Sequence, residues 1–159
     1  MSLLPGPKGP PKGVMLTHTN LVSNIVQSVQ LRKTEFFKPN FQPSSICILP
    51  MFHMFGLAVT SLLTLHVGGR ITTLPKFDPQ IFLKTLERTK PSFLHFTPPL
   101  LQFCAYNPKV IPEHLDSLKY VVIAAAPVGQ VLAKTFKEKA PQCQCYEGTL
   151  DLNYQKILL

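Results

Sequence analysis

From Pro39 to Gly69 the chain carries no Asp, Glu, Lys or Arg, and no other feature constrains its fold as strongly. An apolar run of that length can span a bilayer. Pro43, Pro50, His53, Thr60, Ser61, Thr64 and His66 lie inside it, however, and Pro50 divides it in two. The first part, Ser45-Ile46-Cys47-Ile48-Leu49, reads as a short buried strand. The second, Met54 to Val67, is too short for a comfortable span and reads as a buried helix. The expectation is therefore a strand and a helix inside a globular core, with no membrane span. At 159 residues and 45% hydrophobic, the chain can bury one sizeable core.

The rest of the sequence repeats this alternation. Thr17 or Thr19 can cap a helix whose apolar positions are Leu21, Val22, Ile25, Val26 and Val29. A polar, proline-bearing loop is expected from about 33 to 45. Gly68-Gly69 ends the helix that begins near Met54, because glycine readily takes the left-handed conformation of a C-cap. Asp78 and Pro79 occupy the N-cap and first positions of another helix, with Ile81, Phe82, Leu83 and Leu86 as its apolar face and Lys90-Pro91 as its stop. Pro98-Pro99 opens a helix carrying Leu100, Leu101 and Phe103. Val128, Val131, Leu132 and Phe136 form the stripe of one more. Strands are expected near residues 46–49, 70–74, 93–97 and 120–125, the last a continuous apolar run of the kind covered on both faces. Such alternation predicts an α/β fold of layered βαβ units with a mostly parallel sheet.

Lys and Arg outnumber Asp and Glu 16 to 8, for a formal charge of +8. That balance favours anionic partners: nucleotides, coenzyme A, nucleic acid or an acidic membrane surface. The basic residues are scattered, as in Arg32-Lys33 and Lys137/Lys139, without a dense run or interleaved aromatics, so no specific nucleic-acid partner is expected. Cys47, Cys104, Cys143 and Cys145 read as buried free thiols of a reducing compartment. A single C-x-C without a second pair is not a zinc pattern. The opening MSLLPGPKGPPKG has no apolar signal region, and Ile157-Leu158-Leu159 is not a peroxisomal address. An intracellular protein is expected.

The segment with the clearest chemistry is Pro11-Lys12-Gly13-Val14-Met15-Leu16-Thr17-His18. A glycine-rich turn lets backbone N–H groups approach phosphate oxygens, and an adjacent lysine can neutralise their charge. The Walker A spacing is missing. Composition alone would favour a solvated turn before a helix.

The run PKGVMLTH resembles the end of the phosphate-binding signature of adenylate-forming (AMP-binding) enzymes: acyl-CoA synthetases, 4-coumarate–CoA ligases and beetle luciferases. Three more stretches resemble that family in its order. Pro50-Met51-Phe52-His53-Met54-Phe55-Gly56 is similar to P-x-F-H-x-F-G, Phe96-Thr97-Pro98-Pro99 to its paired-proline turn, and Ala124-Ala125-Ala126-Pro127-Val128-Gly129 to G-A-A-P-L-G. The resemblance implies that Gly9, Lys12 and Gly13 hold ATP phosphates, with Lys12 also catalytic. It implies that His53 borders the acid carboxylate and the adenylate as a catalytic and substrate-binding residue, and that Phe55 walls the acyl or aryl pocket. Ala124, Ala125 and Ala126 would pack against adenine. Read alone, His53 would be a satisfied core histidine.

The implied activity is that of an ATP-dependent acid–CoA ligase, cytoplasmic or peroxisomal in the parent enzyme. A carboxylic acid and ATP give an acyl-adenylate and pyrophosphate, and coenzyme A then takes the acyl group, with Mg2+ neutralising phosphate charge. Departures from the pattern matter equally. Where the family reads S-G-T-T-G, the chain has Pro5-Gly6-Pro7-Lys8-Gly9, which keeps both glycines but loses the hydroxyls and, at Pro7, a backbone donor. Ala124 stands where glycine is usual. After Gly148 the family continues Y-G-M-T-E, whereas the chain runs Thr149-Leu150-Asp151-Leu152-Asn153-Tyr154, without the adenine-stacking aromatic or the magnesium-holding glutamate. The resemblance thus implies a partial adenylation domain over 1–148 and a divergent tail over 149–159, part of a large domain whose ribose-binding aspartate and C-terminal lid are not present here. Little catalysis is expected of the chain alone. The alternative is a non-catalytic pseudoenzyme or partner-binding module, and uncovered apolar surface would promote self-association.

Overall fold

The computed structural model describes residues 2–4, 12–30, 40–124, 126–148 and 155–158. An antiparallel ribbon pairs β1 (Ser2–Leu4) with β2 (Lys12–Val14). Helix α1 (His18–Gln30) follows, then β3 (Ser44–Cys47) and α2, which is π-helical over Phe55–Leu62 and α-helical over Leu63–His66. Next come β4 (Arg70–Thr73), α3 (Pro79–Thr89), β5 (Phe93–Phe96), α4 (Pro98–Tyr106) and the short α5 (Pro112–Leu115). The chain continues through β6 (Tyr120–Ile123), α6 (Gln130–Lys139), β7 (Gln144–Gly148) and β8 (Gln155–Leu158).

Strands β5, β6 and β7 are parallel neighbours, with β8 antiparallel on the far side of β7. Strands β3 and β4 form a second parallel pair. The two sheets meet at their starting ends, where Ser92 N–H donates to the Ser44 carbonyl (2.9 Å) and Ser44 N–H to Ser92 Oγ (2.9 Å). That contact explains why β3 begins at Ser44, two residues before the apolar run; the strand ends at Cys47. Two polar residues are buried there because the backbone is satisfied from 48 positions away.

Strand parity builds three layers. Leu94, Phe96, Val121, Ile123 and Cys145 face one way, against Phe82 and Leu86 of α3, Leu101 and Cys104 of α4, and Ala133 and Phe136 of α6. Phe93, Tyr120, Val122 and Tyr146 face the other, against Ile25 and Val29 of α1 and Leu63 of α2. The α/β architecture with parallel strands is the one the alternation predicts. Among the described residues, no helix is long and apolar enough to cross a membrane.

Local signals act as expected at several points. Thr17 Oγ1 accepts from Asn20 N–H (3.1 Å), so Thr17, not Thr19, caps α1. Asp78 Oδ1 accepts from Ile81 N–H (2.9 Å) and Pro79 opens α3. Gly68 has φ +68°, the left-handed stop that follows α2. The predicted stripes hold in part. Val22, Val26, Ile81 and Val131 are exposed, and in α3 the buried face is Phe82-Thr85-Leu86. Thr85 fits there because its hydroxyl donates to the Ile81 carbonyl (2.7 Å). Of the predicted polar loop, residues 33–39 lie outside the described ones.

All four cysteines are free and buried. Burial pushes the Cys104 thiol up to about 12, with Lys139 pulling it partly back. Raised above its ordinary 9.0, this thiol keeps in the folded state a proton that the unfolded chain releases, so its contribution is complete below pH 9 and declines as pH climbs towards 12. In that window stability should fall by about 1.4 kcal/mol per pH unit from this group. Urea midpoints of the parent and Cys104→Ala from pH 8 to 10.5 check it, since the variant should show the shallower decline. Equal slopes would remove Cys104 as the cause.

Candidate functional site

The chain leaves the carboxyl ends of its parallel strands at the positions where the motifs lie, and ligands of open α/β sheets bind beyond those ends. After β3 the backbone runs through Pro50, and His53 N–H donates back to the Pro50 carbonyl (3.0 Å). His53 then precedes α2, and its carbonyl accepts Leu57 N–H (3.0 Å). Its Nδ1 accepts Phe55 N–H (3.1 Å). A ring nitrogen that accepts cannot carry the proton, so the proton of this neutral imidazole belongs on Nε2. The ring is exposed, and Nε2–H is its remaining donor. It can serve an oxygen that gains negative charge.

Gly56 makes this turn possible. A Cβ there would lie 2.3 Å from the Pro50 carbonyl oxygen and 2.8 Å from that of Leu49. The π-helical register that follows is stitched by side chains reaching five residues back. Ser61 Oγ donates to the Gly56 carbonyl (2.7 Å) and Thr60 Oγ1 to that of Phe55 (3.2 Å). The Leu63 N–H likewise donates to the Ala58 carbonyl.

Phe55 is half-buried, with its ring edge-on to His95 of β5 (5.6 Å between centroids, 70°). His95 is 2% exposed and also meets Phe93 edge-on (5.6 Å). Phe93 stacks on Tyr120 (5.2 Å, 11°), and Tyr120 meets Tyr146 (6.3 Å). An aromatic row thus crosses the α1/α2 side of the sheet and ends at Phe55. His95 is absent from the sequence expectations. Its one signal is a lone imidazole in the apolar strand Phe93–Phe96, on the face it shares by parity with Phe93.

Beyond β6, Ala124 N–H donates to the Phe96 carbonyl (3.1 Å) and the residue is half-buried. Ala126 and Pro127 are exposed, and Val128 is buried. Small side chains here leave a surface that a planar ring could approach. Glu147, at the end of β7, accepts Val128 N–H on Oε1 (2.9 Å).

The remaining expected site residues are placed differently. Lys12 and Gly13 lie on β2, paired with Leu4 and Leu3. Among the described residues, no backbone hydrogen bond joins that ribbon to the sheets. A hydrogen bond thus joins His53 to Phe55, and Ala124 and Ala126 share the loop after β6, while Lys12 and Gly13 are held in the ribbon. Gly9 and Ala125 lie outside the described residues. Among the described residues, no three His, Cys, Asp or Glu side chains converge as a metal site. Two open clefts of about 500 and 530 Å³ lie elsewhere, one lined by residues such as Asp78, Phe103 and Lys109, the other by Asp116, Lys119 and Gln144.

Residues 6–148 match the family model described as AMP-binding enzyme. The chain is 35% identical over 143 residues to 4-coumarate–CoA ligase 2 of Nicotiana tabacum, covering 90% of this chain and 26% of that protein. It is 40% identical over 128 residues to the probable 4-coumarate–CoA ligase 3 of Dictyostelium discoideum, covering 80% and 23%. The chain thus spans about a quarter of the length of the curated relatives it matches. Among solved structures, ATP-bound MatB from Rhodopseudomonas palustris superposes with a TM-score of 0.81 at 25% identity, covering 99% of this chain and 30% of that one. A red-emitting luciferase from Phrixothrix hirtus gives 0.70 at 27%, covering 86% and 25%. The ordered motifs, the parallel α/β core and a match across most of its length agree: this chain belongs to the AMP-binding, adenylate-forming enzyme family.

Proposed function

We propose that the chain carries part of the acid- and adenylate-binding surface of an ATP-dependent acyl- or aryl-CoA ligase, and that alone it turns over little or nothing. In this reading residues 1–148 are a partial adenylation domain and 149–159 a divergent tail. The parent reaction has two steps. A carboxylate oxygen bonds to the α-phosphorus of ATP as the bond to the departing pyrophosphate breaks. The coenzyme A thiol then attacks the acyl carbon, its proton is lost, and AMP leaves.

The observation that carries the proposal is the His53–Phe55 pair. The Phe55 N–H fixes the His53 tautomer, leaving Nε2–H to donate to the carboxylate or adenylate oxygens, while Phe55 supplies the apolar wall beside it. Ala124 to Ala126 would receive adenine, and Gly9, Lys12 and Gly13 the phosphates. Magnesium, when bound with ATP, would neutralise phosphate charge, but the described side chains offer it no cage. Prolines where the family has loop hydroxyls, and the unrelated residues at 149–154, remove anchors for phosphate and metal. Each charge-assisted contact is worth roughly 1.5–3 kcal/mol, so losing two weakens nucleotide binding by about 10²–10⁴-fold.

Amide NMR of the purified chain with millimolar AMP, alongside carboxylate-dependent exchange of pyrophosphate into ATP, tests this. Shifts at His53, Ala124 and Ala126 with exchange at the blank are expected. Silence at those amides would reject the site, and robust exchange would reject the claim of incompetence. A second reading, a non-catalytic module docking on a partner or a second copy, has its own observation: Phe52 is 95% and Met15 89% exposed. Concentration-dependent sedimentation would favour it.

A further inference from the structure

We propose that Glu147 is a positioning residue: its carboxylate pins the loop between β6 and α6 and bars anions from the start of that helix. The inference rests on the reading of Ala124 and Ala126 as part of an adenine surface, and says what holds the residues beside them in place.

Helix α6 begins at Gln130 with Gly129 as its N-cap. Glycine brings no side chain to bond the free N–H groups of the first turn, and no acid lies in that turn. The residue just before that N-cap is instead held from across the fold. Glu147 Oε1 accepts Val128 N–H at 2.9 Å, from 19 residues away in sequence. Val128 is 8% exposed, so its N–H would otherwise be poorly served by water. The carboxylate also brings negative charge to the positive end of the helix dipole.

The loop is thereby tethered at both ends. Ala124 N–H bonds the Phe96 carbonyl of β5 (3.1 Å), and Val128 N–H bonds Glu147 of β7. Strand β7 ends close beside it, since a Cβ on Gly148 would lie 3.8 Å from Ala124 Cβ. Between the tethers Ala126 and Pro127 stay exposed. A planar ring packs well only on a surface whose backbone is already fixed, because ordering a loose loop would consume binding energy.

The start of a helix is where a phosphate would ordinarily settle. Here the chain's own carboxylate takes the Val128 N–H and repels another anion. The surface is left to the uncharged end of a nucleotide. Glu147 thus sets the direction in which a nucleotide can lie.

The test uses the full chain with Glu147→Ala and Glu147→Gln, and AMP as the probe. Loss of a hydrogen bond to a charged acceptor corresponds to about a tenfold change or more. In Glu147→Ala, exchange of the Val128 amide with deuterium should accelerate by about that factor while Val121 and Ile123 in β6 keep their protection. AMP affinity, read from the Ala124 and Ala126 amides, should weaken by about tenfold while the chain still unfolds cooperatively. Glu147→Gln keeps an acceptor oxygen and should rescue both readouts to within a few-fold. Unchanged Val128 exchange in Glu147→Ala overturns the clamp. Faster exchange with unchanged AMP affinity overturns the positioning role. If the parent chain shows no AMP response at all, the functional reading and the adenine role fall together, while the exchange data still decide the clamp.

Discussion

Gly56→Ala is expected to cost about 3 kcal/mol of unfolding free energy or more, because nothing near the new methyl group can move aside. Its three nearest neighbours would be the Pro50 carbonyl oxygen at 2.3 Å, the Leu49 carbonyl oxygen at 2.8 Å and the Pro50 carbonyl carbon at 2.8 Å. All are backbone atoms, so no rotamer change relieves the overlap. The start of α2 must back away from the Leu49-Pro50 turn. That movement pulls on the bond from His53 N–H to the Pro50 carbonyl and on the Ser61 Oγ bond to the Gly56 carbonyl. Overpacking of this kind costs typically 1–3 kcal/mol, and each lost hydrogen bond adds roughly 0.5–1.5. The thermal midpoint should fall by about 6–12 °C. Gly129→Ala is the control, since a Cβ there meets nothing within 4 Å and should change stability by less than about 1 kcal/mol. Urea unfolding with an unchanged m-value measures both. If Gly56→Ala falls within about 0.5 kcal/mol of the parent, the close approach is not a constraint.

That same contact marks the boundary of what the sequence reveals. Signals acting over one turn were legible: Asp78 and Pro79 opening α3, Gly68 ending α2, the four-residue apolar run of β6. The π-helical register was not, because it depends on Gly56 meeting a turn that hydropathy does not describe. The start of β3 was missed for a related reason. Ser44 and Ser45 look like loop residues until Ser92 arrives from the start of β5. Strand β7 escaped notice because Gln144-Cys145-Tyr146-Glu147-Gly148 is only half apolar, and Glu147 acquires its role through Val128 rather than through its neighbours. Helix stripes pointed to the right helices but not always to the right faces: Ile81 is exposed while Thr85 is buried. The site follows the same division. Motif order proposes His53, Phe55 and the alanine loop, while the imidazole partner of Phe55, His95, required the fold.

Phe82→Ala should be the most damaging of the ordinary core truncations. The side chain is 0% exposed on the inner face of α3. It belongs to a triangle of rings, with Phe77 at 5.7 Å, Phe103 at 6.3 Å, and those two at 5.4 Å from each other. This triangle joins the approach to α3 with α4, so its loss is felt by two elements at once. Removing a buried phenyl ring forfeits its transfer free energy and leaves a cavity that the neighbours close only partly, for about 3–5 kcal/mol. Ring–ring geometry contributes roughly 0.5–1.5 kcal/mol beyond burial. Against a total of about 5–15 kcal/mol for a typical domain, such a loss threatens the folded state itself. Phe82→Leu refills part of the space and should cost distinctly less, about 1.5 kcal/mol. Phe52→Ala supplies the opposite limit, because that ring is 95% exposed and its removal should move stability by no more than about 0.5 kcal/mol. The three variants should therefore rank Ala at position 82, Leu at position 82, then Ala at position 52 in order of decreasing loss. Equal costs at positions 82 and 52 would mean that α3 does not pack on α4 through this triangle.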